Sequence, residues 1–116
     1  MSKTLTELTA EYYILVNRDH HKDRDCHFYI QKIYSYGNEP YWQYQFLHYG
    51  YCWSVEKFFK DQQNITNYEF LDKNIPKLGD MNWEEFPQRQ TEQEAEQDMR
   101  NFLEWAIEKE KQVEYE

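Results

Sequence analysis

Nine residues, Asp19-His20-His21-Lys22-Asp23-Arg24-Asp25-Cys26-His27, hold three of the chain's four histidines and one of its two cysteines. Imidazoles and thiols are the donors that zinc takes four at a time in a tetrahedron. The best set available is His21, Cys26, His48 and Cys52, in which His48-x3-Cys52 has ligand-like spacing. Two features count against it. No Cys-x2-Cys knuckle is present, and adjacent Cys26 and His27 would point to opposite faces of a strand. The same atoms suggest a second chemistry, with Cys26 or Cys52 as nucleophile and His27 or His48 as its base. No glycine-rich elbow or oxyanion motif accompanies it. Asp19, Asp23 and Asp25 alternate with Lys22 and Arg24, so the stretch largely neutralises itself. It reads as a polar connection between strands, free to touch a partner, and no metal or other cofactor is expected.

Other reaction machinery is also sparse. Glu84-Glu85 could supply an acid–base pair, but catalytic carboxylates sit in clefts that shift their pKa values, and these read as solvated. The three glycines, Gly37, Gly50 and Gly79, cannot build a phosphate-binding loop or a dinucleotide fingerprint. An aromatic pocket using His27 or His48 would serve a small-molecule binder or a minor enzyme.

These residues must be placed by a chain of 116 residues, long enough for one domain with its own core. Aromatic residues make up 19 % of it and charged residues 30 %. Disordered chains lack aromatics, so this one should fold despite its polarity. Net charge is −9, and it is uneven: residues 1–68 carry −1 and residues 69–116 carry −8. Lysine and arginine clusters are missing, which argues against direct binding of nucleic acid or an anionic membrane. No apolar run reaches transmembrane length, and Met1–Leu8 lacks a signal-peptide core. A cytoplasmic protein with free thiols is expected.

The pattern predicts an α+β fold with an antiparallel sheet of three to four strands built on a long hairpin. Residues 11–17, aromatic and β-branched, are assigned to a strand. Residues 26–36 and 41–49 form the hairpin around Gly37-Asn38-Glu39-Pro40. Trp42, Tyr44, Phe46 and His48 share its core face, and Tyr41, Gln43, Gln45, Leu47 and Tyr49 a half-exposed one. Ser54 caps a short helix through Val55, Phe58 and Phe59. Residues 64–90 give little pattern beyond a loop near 74–80, a short strand or turn near 68–71, and the anchors Trp83 and Phe86. Thr91-Glu92-Gln93-Glu94 is a capping box. It opens a helix to about residue 111 whose apolar stripe is Ala95, Met99, Phe102, Leu103 and Ala106. This amphipathic C-terminal helix should pack on one face of the sheet.

That helix carries like-charged pairs at i, i+4: Glu92/Glu96, Glu94/Asp98 and Glu104/Glu108. Each destabilises an isolated helix by about 0.2–0.5 kcal/mol. A solvated face is the usual meaning of such a run. A carboxylate row of about 6 Å spacing can also imitate phosphates to a basic groove. On the hairpin, tyrosines outnumber the core positions available, and tyrosine is enriched at protein interfaces. The expectation is a non-enzymatic protein-interaction module. It would present Glu94, Asp98, Glu104, Glu108, Tyr41, Tyr49 and Tyr51 to a basic protein surface, for example on a nucleic-acid-binding effector. Part of the sheet is open to cover by a second copy, a homodimer. In size and charge the chain is similar to phage- or mobile-element-encoded inhibitors of the anti-CRISPR or anti-restriction type.

Overall fold

The computed structural model describes residues 3–18, 26–35, 37, 39–50, 52–62 and 82–112. The elements are α1 (Leu5–Val16), β1 (His27–Ser35), β2 (Tyr41–Tyr49), α2 (Val55–Gln62), β3 (Asn82–Glu85) and α3 (Glu92–Gln112). The architecture is α+β: a three-stranded antiparallel sheet in the order β1-β2-β3, with the C-terminal helix packed on it.

α1 corrects the sequence reading, which placed a strand at 11–17. The helix starts at a capping box: the Glu7 amide donates to Thr4 Oγ1 (3.1 Å) and the Thr4 amide to Glu7 Oε1 (2.9 Å). Those hydrogen bonds hold the Glu7 carboxyl below its ordinary pKa. Leu8, Tyr12 and Val16 follow one turn apart and are buried against the core. Tertiary burial of that stripe outweighs the weak β preference of Tyr13, Ile14 and Val16.

The end of α1 is locked to the start of β1 by Asn17. Its Nδ2 donates to the Cys26 carbonyl (2.8 Å), and its Oδ1 accepts from the Cys26 amide (2.5 Å). Cys26 is in turn bonded to Cys52, with Cα atoms 6.3 Å apart. The expected free thiols are therefore a disulfide, because the fold brings together residues 26 apart in sequence. Closing a loop of that length restricts the unfolded chain by roughly 3–4 kcal/mol.

β1 and β2 form the hairpin, with Tyr29 opposite Leu47 and Ser35 opposite Tyr41. β3 pairs on the other side of β2, with Phe46 opposite Glu84. That pairing extends through Phe86 to Arg89, whose amide and carbonyl both bond Trp42 (2.7 Å each). Strand alternation puts Phe28, Ile30, Tyr44, Phe46 and His48 on the helix side. Of the face expected to be half-exposed, Gln43 and Gln45 are buried. The Gln43 amide nitrogen donates to the Phe86 carbonyl (2.7 Å), which satisfies a polar group that burial would otherwise penalise.

Phe102 of α3 is the centre of the core. Its ring lies 6.3 Å from Tyr12, 5.0 Å from Phe46, 5.8 Å from Phe58, 5.6 Å from Phe86 and 6.0 Å from Trp105, centroid to centroid.

The Asn17 lock gives a test. Asn17→Ala strips both the amide and the carbonyl of buried Cys26 of this partner. It should lower unfolding free energy by about 2–4 kcal/mol in urea titration, at about 1–3 kcal/mol per group. An effect within error would show that the lock is incidental.

Candidate protein-binding surface

α3 was expected to offer a row of carboxylates, and its rotation decides which ones. Ala95, Asp98, Met99, Phe102, Leu103, Ala106, Ile107 and Glu110 all turn inward. The opposite line, one residue per turn, is Gln97, Asn101, Glu104 and Glu108, all exposed. Gln97 Nε2 donates to Asn101 Oδ1 (2.7 Å), so the first half of this line is an amide ladder and the second half carries the charge.

Asp98 is therefore not on the outer face. Arg89 holds it as a fork, Nε to Oδ2 at 2.7 Å and a terminal nitrogen to Oδ1 at 3.0 Å. Burial still pushes the Asp98 carboxyl above its ordinary pKa, with Arg89 opposing. Glu94 is exposed, but it closes its own helix: Thr91 Oγ1 donates to its carboxylate (3.0 Å). The row is thus shorter than the sequence suggested, because two of the four expected acids have structural partners.

Other acids are engaged too. Glu84 links three elements. One oxygen meets His48 Nε2 at 2.6 Å, and the other accepts from the Val55 amide at the start of α2 (3.0 Å). Glu110 is fully buried and accepts from Trp53 Nε1 (3.0 Å). Glu92 pairs with Lys32, and Glu11 with Lys3 and Lys111. Asp61 accepts from Trp105 Nε1 (3.2 Å) and faces Lys109 at 3.8 Å. Glu104 and Glu108 have no ion pair or hydrogen bond among the described residues.

The tyrosines lie elsewhere. Tyr41 and Tyr49 are half-buried on the sheet face away from α3, where Tyr49 stacks on His27 at 4.9 Å. Tyr51 lies outside the described residues. Tyr41 and Tyr49 therefore do not share a surface with the acids of α3.

The zinc set does not assemble either. Cys26 and Cys52 are bonded to each other, His48 Nε2 is taken by Glu84, and His21 lies outside the described residues. The disulfide also removes both candidate nucleophiles. Glu84 and Glu85 point to opposite faces of β3 and make no acid–base pair. A groove of about 670 Å³ runs between α1 and β1, floored by Phe28, Ile30 and Tyr44, and neither His27 nor His48 lines it.

Sequence reasoning missed Glu84 and Glu110 as structural groups. For Glu110 a signal existed, since it continues the Leu103–Ala106 stripe at i+7 and i+4. Among the described residues no helix is long and apolar enough to cross a membrane. No family model, curated protein or solved structure matches the chain.

Glu84→Ala removes the acceptor for both His48 and the first amide of α2. A loss of about 2–4 kcal/mol is expected. Faster amide exchange should appear at Val55. Unchanged exchange there would mean that α2 does not depend on Glu84.

Proposed function

We propose that this chain is a small acidic protein-binding module that docks on a basic protein surface through the outer line of α3, without chemistry of its own. One observation carries the reading: Glu104 and Glu108 are like-charged neighbours one turn apart, exposed, and without the partners that most other acids have. Their repulsion costs the isolated helix about 0.2–0.5 kcal/mol. A surface kept for stability alone would alternate charge, whereas a basic partner turns the same repulsion into attraction. The net charge of −9 extends that attraction beyond contact range. The natural complement is a protein face built to hold nucleic acid, the target class of anti-CRISPR and anti-restriction inhibitors. A cytoplasmic setting belongs to this reading, and the disulfide pulls against it, since such bonds persist mainly in oxidising compartments.

The test begins with affinity capture from a native host lysate at low salt, followed by kinetics on the captured protein. Glu104→Lys with Glu108→Lys takes the net charge from −9 to −5. Association should slow by about tenfold or more, within the range of electrostatic steering. Salt should weaken the wild-type complex steeply. Asp98→Asn, buried behind Arg89, should leave association unchanged. Binding that ignores salt and charge reversal would overturn the proposal.

A further inference from the structure

In the order β1-β2-β3, β1 has β2 on one side, and its other edge has no strand partner among the described residues. Natural edges that face water are kept short, charged, bulged or broken by proline, because a bare ladder invites another strand. β1 is nine residues long and has no proline. Lys32 is its one lysine, arginine or carboxylate residue, and Glu92 already pairs with it.

Apolar exposure falls on β1 and the helix beside it, on both faces of the sheet. Among the described residues, the large hydrophobic side chains left exposed are Tyr13 (41 %), Ile14 (67 %), Tyr29 (62 %) and Tyr34 (38 %). All four belong to β1 itself or to α1, which lines the groove beside it. The groove between these elements has Ala10, Tyr13 and Ile14 on its helical wall, and Lys32 is the one charged side chain lining it. A basic partner finds little negative charge to meet here, while two copies of a chain at −9 meet with less repulsion at a neutral face like this one than at an acidic one.

We propose that β1 pairs antiparallel with β1 of a second copy, joining two three-stranded sheets into one of six strands. The two-fold axis stands perpendicular to the sheet, so opposed residues share a face. With Gln31 opposite itself, Tyr29 faces Ile33 of the second copy and Phe28 faces its Tyr34. Aromatic–β-branched and aromatic–aromatic pairs of this kind are favourable across strands. A register centred on Lys32 would oppose like charges and is disfavoured. Ile14 and Tyr13 of each copy then close over the joint from the helix side.

The area is sufficient for a specific contact. Nine extended residues span roughly 30 Å, and sheet plus helix layer are roughly 20 Å deep. Each copy then contributes roughly 600 Å². The total of about 1,200 Å² is the lower end of specific interfaces, which suits a dimer dissociating in the micromolar range.

Sedimentation of the full chain from about 1 μM to about 1 mM, spanning that range, tests this directly. The mass should rise from one chain to two. Ile14→Arg and Tyr29→Lys, both at well-exposed positions, should keep the wild-type circular dichroism and each raise the dissociation constant by about tenfold or more, one lost apolar anchor apiece. Gln31→Cys should form a covalent dimer under mild oxidation. A chain monomeric throughout overturns the proposal, whether its groove stays empty or takes a small apolar molecule or a partner's peptide. So does a dimer that both substitutions leave intact, because the copies then meet elsewhere. Neither result bears on the outer line of α3.

Discussion

The ring of Phe102 is the constraint on which the structure turns. It touches rings from α1, β2, α2, the segment after β3, and its own helix. A phenylalanine so placed contributes about 3–5 kcal/mol, a large share of a small domain's stability. α3 can bury that ring in only one rotation. Each residue step turns the helix by about 100°, so fixing Phe102 inward also fixes Glu104 and Glu108 outward. The binding surface proposed here is a consequence of how the core closes.

The same rotation buries two carboxylates, Asp98 and Glu110, which have to be matched. Arg89 meets Asp98 with two hydrogen bonds, and Trp53 meets Glu110. Glu84 and Asn17 do comparable work at the ends of α2 and α1. A core in which rings are about as common as aliphatic side chains leaves polar groups at its margins, and these links satisfy several of them. The acidity of the chain therefore has two parts: carboxylates that tie elements together, and a smaller group on the outer helix face that ties nothing.

The hairpin and α3 were legible in sequence because their periods are clean and their turn and cap residues are unambiguous. α1 was misread although Thr4 and Glu7 repeat the capping box seen at Thr91 and Glu94. The aromatic and β-branched run at 12–16 hid the four-residue spacing of Leu8, Tyr12 and Val16. Asp98 lies three residues after Ala95 and four before Phe102, so its inward position was readable too, had acids been allowed on the apolar stripe. The disulfide and the burial of Gln43 were not readable, since both depend on contacts between distant segments. That β1 has one edge without a strand partner among the described residues was equally hidden, because strand order is a property of the assembled sheet.

The central claim is a division of labour on α3, with one face holding the fold and the other free of structural duty. Thermal unfolding of Glu104→Gln with Glu108→Gln tests it most directly. Relief of one like-charged pair, worth about 0.2–0.5 kcal/mol, should leave the midpoint unchanged or raise it by about 1–3 °C. A fall of several degrees would show that these carboxylates support the fold, and would contradict the account.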